Sequence, residues 1–291
     1  MSVRESQEVK TLDTLIDDIY GVLDNLNTDE GIEIPEELTE EFLASMKESL
    51  ESWSTPKLQS KSIRMSNVGR PLRRIWYDMQ EEPEGSTDKH VHPSTFVKFL
   101  YGHMLEHLAI LLVKLSGHTV TDMQKEVEID GIKGHMDCKI DGEVVDIKTA
   151  SGFAFKKFSE GTLPDNDPFG YIAQLSGYEQ SEGTEDGGFL AINKENGEVC
   201  LFRPGNLSKP NISTRINTIK DALTKDEPPI KPCYNPVAEG KKGNMRLEAG
   251  CVYCPHKAKC WDGLRAFKYS NGVKYFTRVV SLPKVPEIPL I

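Results

Sequence analysis

Leu12, Leu15, Ile16, Ile19, Val22 and Leu23 recur at three- and four-residue spacing, which predicts an amphipathic helix over roughly 8–26. Pro35 suits the first turn of a second helix, with Leu38, Phe42, Leu43, Met46 and Leu50 behind it. Residues 78–93 are polar and read as a loop. From His92-Pro93-Ser94 a strongly apolar helix runs to Gly117, a suitable C-cap. The period then changes to two. Three short strands are predicted, separated by Asp130-Gly131 and Asp141-Gly142, the dipeptides that favour tight hairpins. A helix over about 168–181 follows, then strands at 188–193 and 198–203 on either side of Lys194-Glu-Asn-Gly197. A helix near 211–224 leads into an irregular region rich in Lys, Gly and Cys. This order predicts an α/β fold, a mixed sheet flanked by helices. The expected divisions are an acidic helical extension (1–55), a core (56–230) and a Cys-rich region packed on the core (231–291).

Charge changes that picture. The 291 residues carry a net charge of −10. Residues 1–55 hold 3 basic and 15 acidic residues, a charge of −12, which leaves +2 for the remaining 236. From Lys57 to Arg74 come six basic residues (Lys57, Lys61, Arg64, Arg70, Arg73, Arg74) and no acidic one. The reading is an acidic appendage on a body able to meet a polyanion. The appendage itself is expected either to compete with nucleic acid for the basic groove, to meet a protein partner, or to serve as a solvated surface. The N-terminus lacks the apolar run of a signal peptide, and no stretch approaches about 18 consecutive apolar residues, so a cytoplasmic protein without a membrane partner is expected.

The sharpest chemical signal lies in Gly134-His-Met-Asp-Cys-Lys-Ile-Asp-Gly-Glu-Val-Val-Asp-Ile-Lys-Thr-Ala150. If Asp141-Gly142 form a two-residue turn, Asp137 faces Asp146 and His135 faces Lys148. Alternation then puts these four on one face and Met136, Cys138, Ile140, Val145 and Ile147 on the core face. Like charges directly across a ladder are destabilising. A divalent cation with oxygen ligands would offset them, and Lys148 beside it would assist a water nucleophile or stabilise phosphate charge. The alternative is a half-buried hairpin with solvated polar residues on its outer face.

This Asp…Asp-x-Lys arrangement resembles the PD-(D/E)xK nuclease superfamily. Two further matches resemble its RecB-like branch: Gly102-His-Met-Leu-Glu106 on the preceding helix, and Gln174-Leu-Ser-Gly-Tyr178 on a following one. Taken together, the resemblance covers roughly residues 60–265. It implies Mg²⁺ or Mn²⁺ held by Glu106, Asp137, Asp146 and the carbonyl of Ile147, with Lys148 positioning or deprotonating the water. Gln174 and Tyr178 would orient the strand. It further implies a DNA exonuclease acting on single strands or free ends, in phage or bacterial DNA processing, recombination or repair. Two other readings stay open: a catalytically silent DNA-binding or assembly protein, and a zinc-stabilised endonuclease.

Cys251-x2-Cys254-x5-Cys260 has metal-ligand spacing. It resembles the C-terminal cysteine triplet of iron–sulfur RecB-like exonucleases, including the one associated with CRISPR adaptation, in which an upstream cysteine completes a [4Fe-4S] site. Here the chain departs from the pattern. The stretch Gly69-Arg-Pro-Leu-Arg-Arg-Ile-Trp-Tyr77 contains no cysteine, and Cys233 is the best available fourth ligand. Four thiolates at this spacing also suit Zn²⁺. Cys138 and Cys200 read as structural, and His256 as a solvated loop residue. Arg70, Arg73 and Arg74 are expected to neutralise phosphates, with Lys156 and Lys157 adding to the field, and Trp76 and Tyr77 to offer stacking. No spacing typical of sequence-specific DNA readers is present.

Overall fold

Two Asp-Gly dipeptides set two hairpins, one inside the main sheet and one that forms a two-stranded sheet of its own. Asp130 (φ +49°) with Gly131 (φ +80°), and Asp141 (φ +51°) with Gly142 (φ +90°), are left-handed at both central positions. A type I′ turn requires this, and its twist matches that of the strands it joins. A computed structural model describes residues 10–55, 61–80, 93–230 and 232–290. The expected start of the first helix, Lys57 and most of the polar stretch 78–93 lie outside the described residues.

The helices of two turns or more are α1 (Leu15–Asp24), α2 (Glu36–Ser54), α3 (Leu72–Gln80), α4 (Pro93–Leu115), α5 (Gly152–Ser159), α6 (Tyr171–Glu182) and α7 (Ile212–Leu223). The first strands are β1 (Val120–Thr121), β2 (Glu126–Ile129), β3 (Ile132–His135), β4 (Cys138–Ile140), β5 (Glu143–Ala150), β6 (Gly188–Asn193) and β7 (Val199–Phe202). Toward the C-terminus come β8 (Val237–Glu239), β9 (Asn244–Arg246), β10 (Arg265–Tyr269), β11 (Gly272–Arg278) and β12 (Glu287–Ile288). Two compact units result. One comprises Met1–Ser60, Arg64–Gly69 and Pro83–Arg215; the other Lys61–Ile63, Arg70–Glu82 and Ile216–Ile291. The division is not sequential: residues 10–55 go with the sheet, and α3 goes with the Cys-rich region.

The first unit is mixed α/β. Its five-stranded sheet has the order β1-β4-β5-β6-β7, in which β5 and β6 run parallel and the other pairs antiparallel. The parallel pair needs a crossover, supplied by α5 and α6. Leu12, Leu15 and Ile19 from the α1 region and Ala109 and Val113 of α4 pack with Cys138, Ile140, Val145, Ile147, Leu190 and Ile192 on one sheet face. α6 packs on β5 without joining that cluster, and so covers the other face. Consequently Val144 and Asp146 are buried as well, although alternation alone would leave one face wet.

The N-terminal fifth therefore divides. α1 is a core helix, held also by Asp18, whose carboxylate meets Lys10 at 2.8 Å and His118 Nε2 at 3.0 Å. By contrast α2 has no buried residue. It lies on α4 through Ser49 Oγ to His107 Nε2 (2.7 Å), Trp53 Nε1 donating to the carbonyl of Phe96 (2.8 Å), and a Lys114–Glu41 ion pair. By length and composition α4 would also cross a bilayer core. In this fold, Ala109 and Val113 are its buried residues, while Phe96, Val97, Phe99 and Tyr101 are exposed.

The second unit corrects the expected irregular C-terminus. It contains an antiparallel sheet of order β12-β10-β11-β9-β8. The alternation in Arg265-Ala-Phe-Lys-Tyr269, repeated after Asn271-Gly272, carried that signal.

Leu15→Ala is expected to cost about 3 kcal/mol in urea unfolding, as for a fully buried leucine, and Leu43→Ala, on the outer face of α2, less than about 0.5 kcal/mol. Equal losses would contradict the assignment of α1 to the core and α2 to the surface.

Candidate active site

The expected register holds. Cys138 pairs with Val145, Lys139 with Val144 and Ile140 with Glu143. The middle predicted strand, however, is broken at Met136-Asp137 into β3 and β4. His135 therefore belongs to another hairpin, where it pairs with Glu126 and stands 59% exposed, away from Lys148. The backbone groups released by the break need partners. The loop 122–125 supplies them: Met136 N–H donates to the Lys125 carbonyl (3.1 Å), and Gln124 N–H donates to the Asp137 carbonyl (2.9 Å). Freed from the ladder, Asp137 turns its carboxylate back to accept the Ile147 N–H at 2.7 Å.

Asp146 sits on the interior strand β5 and is 1% exposed. The Lys148 ammonium is paired with its Oδ2, and beyond that ion pair neither carboxylate oxygen has a hydrogen-bond partner among the described residues. Buried polar groups ordinarily find such partners. Glu106 of α4 accepts from Gln124 Nε2 at 2.9 Å. Burial and the Asp146 charge raise the Glu106 carboxyl above the usual carboxylate range. The same two causes, with Glu106 added, push Asp137 well up. Burial alone would lower Lys148, but Asp146 and Asp137 outweigh it and hold the ammonium more firmly charged. The Lys148 Nζ also lies over the Tyr171 ring, 4.8 Å from its centroid, and Phe169 stacks outside Tyr171 at 5.3 Å.

The structure thus brings Glu106, Asp137, Asp146 and Lys148 together. Gln174 and Tyr178 stand behind them: Gln174 Nε2 donates to the Tyr178 hydroxyl at 2.9 Å, and both residues are buried. Burial, then the charges of Asp146 and Asp137, raise the Tyr178 hydroxyl, so it stands within electrostatic reach of the carboxylates. Expected to orient a nucleic-acid strand, the pair instead faces the interior and backs the acidic cluster. Sequence reasoning missed Gln124, because a glutamine in a loop has no distinguishing period. It also missed the part played by α2. A cleft of about 680 Å³ is lined by Glu41, Ser45 and Glu48 of α2, by His103, Glu106 and Lys114 of α4, and by Met123, Gln124 and Asp137.

The second unit holds Cys233, Cys251, Cys254 and Cys260, and the first holds Cys138 and Cys200. All six are free thiols. Burial, then Cys233, Cys254 and Cys260, push the Cys251 thiol up to about 12, so the four stand within electrostatic reach of one another. Cys138 is buried in the core and Cys200 lies in β7. The expected phosphate-binding arginines are turned to this unit's own groups. Arg73 Nε meets Cys260 Sγ at 3.2 Å, and Arg70 and Arg74 each lie 3.8 Å from Asp78. Trp76 is buried and donates to the Lys225 carbonyl, which removes it as a stacking platform. His256 is also buried, against expectation, with Nε2 2.6 Å from Asp78 and its ring stacked on Tyr77. Among the described residues, no three His, Cys, Asp or Glu side chains converge at metal-holding positions, at either cluster.

No protein-family model matches the chain, and no curated protein does. Among solved structures it is similar to the crystal structure of SSO0001, with 18% identity, a TM-score of 0.41, and coverage of 77% of this chain and 95% of that one. It is also similar to an alkaline exonuclease from Laribacter hongkongensis, with 15% identity, a TM-score of 0.40, and coverage of 60% of this chain and 92% of that one.

A carboxyl whose pKa is raised by folding keeps a proton that the unfolded chain releases. Its contribution is therefore favourable below about pH 4 and is lost as pH rises through the raised value. Asp137→Asn is accordingly expected to raise the thermal midpoint in EDTA at neutral pH, with the gain disappearing below about pH 4. An unchanged midpoint at neutral pH would count against the charge crowding described above.

Proposed function

We propose that the chain is a divalent-cation-dependent deoxyribonuclease of the RecB-like PD-(D/E)xK type, acting as an exonuclease on DNA with free ends. The observation that carries the reading is Asp146: a buried carboxylate crowded by Glu106 and Asp137, whose one partner among the described residues is the Lys148 ammonium. Asp146 within a set of hard oxygen donors is what Mg²⁺ or Mn²⁺ selects. Glu106, Asp137 and Asp146, with the Ile147 carbonyl as a further donor, would hold such an ion. Bound there, a divalent cation supplies charge neutralisation at the phosphate and lowers the pKa of water.

The chain's own groups carry the remaining roles. Lys148 keeps its proton beside Asp146, so it acts as a charged donor toward a phosphate oxygen or the attacking water rather than as a free base. Tyr171 limits its movement from one side. Gln174 and Tyr178 support the carboxylates from behind. Phosphodiester hydrolysis then needs a strand to reach Lys148 and Glu106 together. The cleft bordered by α2 is the approach to Glu106, and Glu41 and Glu48 line it.

For the second unit we propose a four-cysteine metal site of Cys233, Cys251, Cys254 and Cys260, holding [4Fe-4S] or Zn²⁺. The four cysteines stand within electrostatic reach of one another, an arrangement that a bound cation would stabilise by drawing off the thiol protons, and this supports it. Visible absorption with iron in anaerobically purified protein would identify the cluster; zinc at one per chain would identify the other metal.

Asp146→Ala and Lys148→Ala are each expected to lower Mg²⁺-dependent degradation of linear DNA at least about a thousandfold while DNA binding by mobility shift persists. Wild-type digestion of linear but not closed circular DNA, abolished by EDTA, is the expected pattern. Full cleavage by both variants would sink the assignment. An inert wild-type chain that still binds DNA would favour the silent assembly protein, and cutting of circles the endonuclease.

A further inference from the structure

The two halves of the acidic cluster come from separate elements. Glu106 belongs to a helix that packs on the sheet through Ala109 and Val113, and Asp137 to a break in the sheet; beyond that packing, their fine alignment depends on whatever residue hydrogen-bonds to both. One residue does. Gln124 donates its side-chain Nε2 to Glu106 Oε1 at 2.9 Å and its backbone N–H to the Asp137 carbonyl at 2.9 Å. It is the one hydrogen-bond donor to Glu106 among the described residues.

Its backbone is held in an unfavourable state to do this. Gln124 and Asp122 both have φ +53°, the left-handed region that residues with a Cβ avoid. The loop is fixed there by its surroundings. Lys125 meets Glu182 of α6 at 2.9 Å, Lys139 of β4 meets Glu182 at 2.5 Å, and Lys139 reaches Asp122 at 3.6 Å. Met136 N–H closes the other side through the Lys125 carbonyl. A strained residue, over-determined by neighbours and hydrogen-bonded both to the Glu106 carboxylate and to the backbone carbonyl of Asp137, points from structure toward function.

We infer that Gln124 is a positioning residue that holds the α4 carboxylate and the sheet carboxylate in one frame for a divalent cation. The inference rests on the metal-dependent reading proposed above. Gln124 need not touch the ion. Its amide fixes which oxygen of Glu106 remains available, and its backbone fixes the turn of chain that presents Asp137. Groups that orient metal ligands in this way affect affinity strongly, by about 10- to 100-fold on removal.

The test uses the full chain, stripped with EDTA and dialysed, then titrated with Mn²⁺ by calorimetry, with Asp146→Ala as the variant that identifies the site being read. Gln124→Met preserves length and removes the donor; it is expected to weaken Mn²⁺ binding by about tenfold or more. Its thermal midpoint in EDTA should stay at the wild-type value. Gln124→Asn tolerates the left-handed backbone but is one methylene short of Glu106, and it should fall on the same side. Wild-type affinity in both variants overturns the inference and leaves the metal-dependent reading standing. A drop in the EDTA midpoint that parallels the loss of affinity also overturns it, in favour of a structural role. A wild-type chain that binds no Mn²⁺ at Asp146 overturns the metal-dependent reading itself.

Discussion

Three carboxylates and one lysine share a space too dry for their charge, and much of the first unit is arranged around that fact. Asp146 cannot be solvated, because α6 covers its side of β5 while α1 and α4 cover the other. Leaving an ionised group uncompensated in such a place is expensive. The fold answers with a lysine two residues along the same strand face, and with protonation pressure on Glu106 and Asp137. A centre that costs stability and has no structural need to exist is the usual mark of a functional one.

That constraint also explains the broken strand. A continuous strand through 132–140 would keep Asp137 within a ladder. Interrupting it at Met136-Asp137 lets the Asp137 carboxylate accept the Ile147 N–H, at the expense of two backbone groups that the loop 122–125 then satisfies. The ion pairs of Lys125 and Lys139 with Glu182 make the repair rigid. Loop, break and α6 therefore form one connected support for the acidic cluster.

The N-terminal charge has a divided meaning. α1 is acidic in composition yet indispensable to the core through Leu15 and Ile19. α2, equally acidic, lies on α4 by polar contacts and borders the cleft at Glu106. Net charge by segment described solubility and field but not packing, because packing depends on a few apolar side chains at the right spacing.

Much of this protein was legible from sequence alone. Local rules sufficed for the Asp-Gly turns, the register that aligns residues 138 and 145, the buried alternation from Met136 to Ile147, and the pairing of Glu106 with the aspartates through a recognisable motif. Turn chemistry and side-chain period act over a few residues, so the sequence carries them directly. What only the tertiary structure decided was long-range: the removal of His135 to another hairpin, the inward turn of Gln174 and Tyr178, and the burial of Trp76 and His256. The same holds for the commitment of Arg70, Arg73 and Arg74 to Asp78 and Cys260, and for the role of Gln124. Each depends on which surface covers a residue and which distant backbone group needs a partner, and neither has a period that a single chain can display.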